Sequence, residues 1–309
     1  MSILVVGSVA LDSVETPFGK EDNILGGSAT YFSTSASFFT DVNLVAVVGD
    51  DFPQEHVDFL KSRDIDLRGL ARVSGKTFRW KGKYSYDLNE AQTLETDLNV
   101  FADFKPRIPE EYAAIDYLFL ANIDPELQME VLNQVARPRI VACDTMNFWI
   151  SSKQEALKKV LERVDILIIN EGEARQLSGE ANLVKAARKV LSLGAKTLII
   201  KRGEHGVLMF NGSSIFAVPA YPLEEVFDPT GAGDTFAGGF MGYLANAGDI
   251  SEDGIRQAII FGSVMASFNV EDFSLNRLKR LDYREIEERY RAFKAMTHFL
   301  GLPQAGKLQ

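Results

Sequence analysis

The sequence predicts an α/β protein: buried parallel strands alternating with helices, and a small β element set apart from the main sheet. Three observations carry this reading. Short apolar runs recur along the chain at Ile3–Val6, Asn43–Val48, Tyr117–Leu120, Ile140–Cys143, Asp165–Ile169 and Thr197–Ile200, with helical periodicity between many of them. Strands covered on both faces read as such runs, whereas half-exposed strands alternate. Thr77–Tyr86 does alternate, aromatic against polar, and so belongs to a different sheet. Lastly, an extended apolar segment with a proline leads into Gly231-Ala232-Gly233-Asp234, after which Phe236, Phe240, Tyr243 and Leu244 repeat on one helical face.

Taken in order, Ile3–Val6 is the first buried strand, ending at Gly7-Ser8 with Asp12 just beyond. Residues past strand C-ends line the crevice of an open α/β sheet, though an aspartate there also serves as a turn residue. Val9–Val14 is short and mixed, and is read as the first strand of a lid. Leu25-Gly26-Gly27-Ser28 leads into a helix reaching Phe39; paired glycines let a ligand come close to the backbone, or make a flexible lead-in. Asn43–Val48 is the second buried strand, and Pro53–Arg63 a structural helix. Thr77–Tyr86 pairs with Thr93–Val100 as a hairpin, so that about 12–20 and 76–100 form a β lid on one α/β domain spanning 1–309. The set Arg79, Lys81 and Lys83 is read either as a solvated strand face or as a holder for an already phosphorylated substrate.

After Pro106 and Pro109 the alternation resumes. Tyr117–Leu120 ends at Asn122, and Ile140–Cys143 runs into Asp144-Thr145-Met146-Asn147-Phe148-Trp149. Asp165–Ile169 ends in Asn170-Glu171-Gly172-Glu173, whose Asn and Glu three residues apart make a helix capping box. Thr197–Ile200 is followed by Lys201-Arg202-Gly203-Glu204-His205-Gly206; His205 receives no role. Asp253–Asn269 is a helix with small residues at Gly262, Ser263, Ala266 and Ser267. A last helix around Asp282–Phe299 mixes acidic and basic residues, and the tail after Leu302 is expected to fray.

The chemistry concentrates at Gly231–Asp234. A Gly-X-Gly turn at a helix N-terminus points backbone N–H groups at one centre, and the helix dipole adds positive potential there. A carboxylate at Asp234 repels the anion such a turn attracts. It makes sense as a base that takes a proton from a hydroxyl about to attack a phosphate.

Glu225–Gly239, with Asp228-Pro229-Thr230-Gly231-Ala232-Gly233-Asp234-Thr235-Phe236 at its centre, resembles the C-terminal signature of the ribokinase (PfkB) family of carbohydrate and nucleoside kinases. Gly26-Gly27, Asn170-X-X-Glu173 and Gly203-X-X-Gly206 match further family motifs in the right order. The resemblance runs from Ile3 to about Phe268. It implies a ribokinase-like three-layer α/β/α fold: a doubly wound sheet with helices on both faces and a small β-sheet lid. It also implies ATP-dependent transfer of the γ-phosphoryl group to an alcohol of a sugar or sugar-like substrate. Asp234 would be the base, and the Gly231, Ala232 and Gly233 turn with Asp234 N–H the anion hole. Asp12, Gly26, Gly27 and Asn147 would contact substrate. Asn170, Lys201, Gly203, Gly206, Thr230 and Ser263 would lie by the nucleotide, with Asn170 and Glu173 organising Mg²⁺. Relatives carry an arginine shortly after the Asn147 position and an asparagine near the Ser263 position; this chain has neither. Relatives also suggest a monovalent cation (K⁺) near Asp228 and a homodimer through the β lid.

A carbohydrate kinase is the first reading and a nucleoside kinase of the adenosine or inosine type the alternative, with cyclitols equally compatible. A non-catalytic sugar-binding regulator has no reason to keep both the base and the metal motif. A Rossmann dehydrogenase would need Gly-X-Gly-X-X-Gly where Gly7-Ser8-Val9-Ala10-Leu11-Asp12 stands, and the phosphate-binding Gly-X-X-X-X-Gly-Lys pattern is missing. The charge of −10 and a pI near 5.0 speak against nucleic-acid or membrane-surface binding. No signal peptide or run of ~20 apolar residues is read. The single cysteine, Cys143, fits a small buried residue in a reducing cytosol, and a cytoplasmic protein is expected.

Overall fold

The structure, a computed structural model, describes residues 1–212 and 214–299. The expected fraying after Leu302 lies outside the described residues. In chain order the strands are β1 (Ser2–Val6), β2 (Ala10–Thr16), β3 (Gly19–Gly26), β4 (Asp41–Gly49), β5 (Ile65–Val73), β6 (Phe78–Tyr84) and β7 (Ala91–Asp97). They continue with β8 (Tyr117–Leu120), β9 (Ile140–Cys143), β10 (Ile166–Asn170), β11 (Thr197–Lys201), β12 (Val207–Asn211) and β13 (Ser214–Val218).

The main sheet has the order β13-β12-β11-β10-β9-β8-β1-β4-β5. From β11 to β5 every pairing is parallel; β12 and β13 add antiparallel strands at one edge, so the sheet is mixed. The chain leaves β1 toward β4 and β5, then returns to β8 and winds outward the other way. The order therefore reverses between β1 and β8, the place where open α/β sheets form their ligand crevice.

Alternate residues of each central strand feed opposite faces. Ile3, Val5, Leu44, Ala46, Phe119 and Ile168 join one core with the helices α1 (Ser28–Ala36) and α2 (Gln54–Ser62) and with the long helices near the C-terminus. Leu4, Val6, Val45, Leu118, Cys143 and Leu167 join the other, under α3 (Pro125–Leu132), α4 (Asn147–Ser152), α5 (Gln154–Leu161), α6 (Glu171–Ser178) and α7 (Leu183–Leu191). The expected three layers result. The remaining helices, on the first face, are α8 (Ala232–Ala247), α9 (Glu252–Asn269), α10 (Asn276–Lys279) and α11 (Tyr283–Thr297).

A second sheet, β3-β2-β6-β7, is the alternating element expected from sequence. It includes β3, which the reading of Leu25–Ser28 as a helix lead-in did not foresee. Lys20-Glu21-Asp22-Asn23 shows no apolar alternation because this edge strand faces solvent, and its pairing with β2 sets it in place. The root of the sheet is tied to β4: Asp51 Oδ1 accepts from Thr77 N–H and Oγ1, each at 2.7 Å, and Gly49 N–H donates to Thr77 Oγ1 at 3.1 Å. Across the sheet, Asp12 lies opposite Ile24 and Trp80, and Val14 opposite Gly82. That face packs Val14, Trp80, Tyr84 and Leu88 onto Phe227 and Phe273, so it is turned toward the segment that leads into α8.

Candidate active site

Ends of adjacent parallel strands deliver most of the site. β10 and β11 are in register with Asn170 opposite Lys201, and Asp144 follows β9. The Lys201 ammonium lies 3.2 Å from Asp144 Oδ2, with both side chains largely buried. It also lies against the glycine turn, for a Cβ on Gly233 would stand 2.8 Å from Lys201 Nζ. Burial opposes the charged ammonium, yet Asp144, Glu173 and Asp234 around it outweigh this and hold its pKa above the usual value. The neighbouring Arg202 is turned away, its Nε donating to Glu171 at 3.0 Å.

α8 begins where Gly231 takes a left-handed conformation, φ 73°, with the Tyr31 ring occupying the space a side chain would need. Ala232 N–H donates to Pro229 O at 3.1 Å, so this member of the expected anion hole is engaged within the turn. Gly233 and Asp234 N–H find no acceptor among the residues just before α8, as the opening of a helix leaves some donors, and the Asp234 N–H lies by its own carboxylate. Thr230 N–H donates to Asp228 Oδ1 at 2.9 Å and Thr230 Oγ1 to Tyr84 Oη at 3.3 Å. Asn269, fully buried on α9, donates to Thr230 O at 2.8 Å and accepts from Thr235 Oγ1 at 3.1 Å. Sequence reasoning missed Asn269 and gave Asp144 no role of its own, although Asp144 stands just past a strand end and opens a segment resembling one whose polar groups face the cleft in family sugar kinases.

Three carboxyl groups here titrate far above their usual range. Burial, with Asp144 alongside, pushes Asp234 up to about 7, against the pull of Lys201. Burial and Asp144 do the same for Glu173, also to about 7. Asp12, almost fully buried, reaches about 7 through burial and the nearby charges of Asp228 and Asp234, offset in part by the Gly27 N–H. Asp12 thus lies within electrostatic reach of Asp234, 222 positions away in sequence (234 − 12). Gly26 and Gly27 stand next to Asp12. A Cβ on Gly26 would collide with the Asp12 carboxylate, and one on Gly27, at φ 93°, would lie 2.6 Å from Ser8 O.

Asn170 and Glu173 form the reciprocal capping box: Asn170 N–H donates to Glu173 Oε2 at 2.7 Å and Glu173 N–H to Asn170 Oδ1 at 2.8 Å. One Glu173 oxygen remains beyond the box. Among the described residues no three metal-binding side chains converge. Mg²⁺ keeps several waters and takes phosphate oxygens, so one or two hard oxygen ligands suffice. Lys201 pairs with Asp144 and feels the charges of Glu173 and Asp234, an excess of negative charge that a divalent cation would offset; the donor set fits.

Gly203 and Gly206, both at positive φ, bound a tight turn in which Arg202 N–H donates to Gly206 O at 2.8 Å. Asn89, in the β6–β7 loop, lies directly on Gly203. Two expected contacts are joined to this convergence by no hydrogen bond among the described residues. Asn147 is exposed at the start of α4 and bonds to Phe148 and Ser151 of its own helix and to Gln176 of α6. Ser263 Oγ donates back to Ile259 O of its own helix at 3.0 Å. The basic face of β6 also points outward, opposite Trp80 and Tyr84: Arg79 pairs with Asp51 and Lys83 with Glu15.

Residues 18–279 match the pfkB family carbohydrate kinase profile. The chain is 35% identical over 250 residues to the cytidine kinase of Thermococcus kodakarensis, covering 78% of this chain and 87% of that one. The nucleoside kinase of Methanocaldococcus jannaschii superposes with a TM-score of 0.74 at 20% identity, covering 94% of this chain and 98% of that structure. An Escherichia coli protein provisionally named ribokinase II, solved with ATP and Mg²⁺, superposes with a TM-score of 0.74 at 18% identity, covering 94% and 99%. The two superpositions establish the shared fold.

Proposed function

The chain belongs to the pfkB family of carbohydrate kinases, and from that premise we propose which acceptor it takes and which residues carry the reaction. It is a kinase that uses ATP and Mg²⁺ to phosphorylate a hydroxyl of a small sugar-like or nucleoside substrate. The acceptor we propose is a nucleoside, with cytidine the first to test. The likeness to a cytidine kinase over most of both chains supports it, as does the aromatic inner face of the small sheet, where Trp80 and Tyr84 stand on the same side as Asp12. An already phosphorylated acceptor is disfavoured, because Arg79 and Lys83 are paired on the outer face.

The observation that carries the mechanism is Asp234, set in the first turn of α8 beside Gly233 and within the electrostatic reach of Asp12. Asp12 and the Gly26-Gly27 backbone orient the acceptor hydroxyls. Asp234 takes the proton from the attacking hydroxyl, a role commonly worth ~10²–10⁴ in rate. The Gly233 and Asp234 N–H groups meet the charge that builds on the transferred phosphoryl group. Lys201 meets the nucleotide at its terminal phosphate, and the Gly203–Gly206 turn lies by the rest of it. Glu173 and Asn170 would hold Mg²⁺, which would supply neutralisation of the phosphate charge. The small sheet closes over the acceptor and excludes water.

A monovalent cation beside Asp228 belongs to the same proposal. Its buried carboxylate accepts from the Thr230 and Ser274 N–H groups, and among the described residues no basic side chain pairs with it. Activity that does not change when K⁺ replaces a large organic cation would remove it. A homodimer through the small sheet is likewise proposed, on the full exposure of β7 with Leu94 on it, and sedimentation tests it. Among the described residues no helix is long and apolar enough to cross a membrane. A cytoplasmic location remains a proposal, supported by the buried free thiol of Cys143.

The test is ADP release from MgATP against a panel of nucleosides, pentoses, hexoses and cyclitols, with Asp234→Asn as control. A nucleoside used best, and lost in the variant, is expected. A free sugar used best would overturn the acceptor, and wild-type turnover in Asp234→Asn would overturn the base.

A further inference from the structure

We propose that Lys201 is a catalytic cation acting on the transferred phosphoryl group, and that Asp144 is the positioning residue that holds it there. This rests on the kinase reading above and goes beyond nucleotide binding. The geometry makes the argument. The lysine stem lies along Gly233, and its ammonium meets the turn where a side chain on that residue would begin, 2.8 Å away. The Gly233 N–H, which has no acceptor in the turn before α8, belongs to the same turn. A phosphoryl group bound at Gly233 would therefore also meet Lys201. On the kinase reading the ADP end of the nucleotide would lie instead toward the Gly203–Gly206 turn, beside which Arg202 is tied to Glu171.

A lysine is a flexible point charge on a four-carbon stem and does not hold one place unaided. Asp144 supplies the restraint. It is 5% exposed, its Oδ2 takes the ammonium at 3.2 Å, and its Oδ1 accepts from its neighbour's Thr145 N–H at 2.7 Å. Gln128, fully buried, fixes the backbone at this strand end by donating to Asp144 O and Ala121 O, each at 3.0 Å. The carboxylate is thus anchored on β9 and the ammonium on β11, two strands apart. A fixed charge aimed where negative charge develops costs no reorganisation during the reaction, and losing such a group typically lowers kcat by ~10²–10³.

The experiment compares Lys201→Met, Asp144→Asn and the double variant. Turnover is measured with MgATP, and calorimetric affinity with ADP and with a non-hydrolysable ATP analogue. In Lys201→Met, kcat is expected to fall at least ~100-fold and ATP-analogue affinity to weaken, with ADP affinity within about threefold of wild type. Asp144→Asn is expected to lose ~10-fold or more in kcat, and the double variant to be no worse than Lys201→Met alone, because Asp144 acts through Lys201. Retained ADP binding shows that each variant is folded. Equal losses of ADP and ATP-analogue affinity with kcat unchanged would overturn the catalytic role and leave Lys201 a nucleotide holder. Independent, multiplying losses in the double variant would overturn the role of Asp144. Failure of the kinase reading would appear separately, as a wild-type protein that turns over no acceptor on the panel.

Discussion

Thr230 Oγ1 donates to Tyr84 Oη at 3.3 Å, joining the small sheet to the residue that precedes the glycine turn of α8. The two residues are 146 positions apart, and both are buried. Because Tyr84 shares a face with Asp12 through β2 and β6, this bond links the acceptor side of the crevice to the phosphoryl side. Tyr84→Phe keeps the packing on Phe227 and Phe273 but leaves Thr230 Oγ1 without its partner. Such a loss typically costs ~1 kcal/mol or somewhat more. The expected result is a melting point lower by a few degrees, and a several-fold lower kcat/KM for the acceptor with KM for ATP nearly unchanged. Thermal denaturation with steady-state kinetics in both substrates checks it.

Gly26→Ala tests the acceptor side by itself. A methyl there runs into the Asp12 carboxylate, which is buried and cannot swing into solvent. Asp12 must therefore rotate or β3 must shift. Acceptor KM is expected to rise tenfold or more, while affinity for the ATP analogue stays within a factor of two or three. Loss of nucleotide affinity of the same size would mean that Gly26 does not belong to a separate acceptor subsite.

Much of this site is legible in the sequence, for identifiable reasons. The central strands are buried on both faces and so print as apolar runs, and the Gly231–Asp234 turn needs residue types that few other structures require. Asn170 and Glu173 were legible as a cap because the box depends on local spacing. What could not be read was lateral order. Nothing in the sequence says that β9 and β11 flank β10, so the approach of Asp144 to Lys201 was hidden, and Asn269 read only as the end of a helix. The edge strands β3, β5 and β13 were missed because a strand with one solvated face and no strong alternation resembles a loop.

Asp234 makes a prediction about pH. As a base it must be ionised, and its pKa is pushed up to about 7 by burial and Asp144. In the free enzyme kcat/KM is expected to rise with pH through about 7 and then level. Asp12, Glu173, Lys201 and Tyr84 also feel this charge, so the rise is shared among coupled groups. Stability runs the other way. A carboxyl whose folded pKa is raised favours folding fully below its unfolded value near 3.8, and that contribution is lost as pH rises through the folded value near 7. Asp234→Asn should therefore raise the melting point of the ligand-free protein at pH 8 by a few degrees, with no gain at pH 4, while abolishing turnover. A variant less stable than wild type at pH 8 would contradict the raised pKa.

Glu173 separates a structural role from a metal role within one side chain. Its Oε2 accepts from Asn170 N–H to close the capping box, and its negative charge faces the site shared by Asp144, Asp234 and Lys201. Glu173→Gln keeps an oxygen able to accept from Asn170 and removes only the charge. Glu173→Ala removes both. If the residue only caps α6, Glu173→Gln should behave as wild type and Glu173→Ala should lose ~1 kcal/mol of stability with little change in rate. If it also organises Mg²⁺, both variants should lose activity to a similar degree, and both should need more Mg²⁺ to reach half-maximal rate. Only the alanine variant should then melt early. We expect the second pattern, because a cap alone gives no reason for a carboxylate to be held beside two others and a single lysine. Magnesium titrations of turnover, with melting curves of the same preparations, distinguish the two.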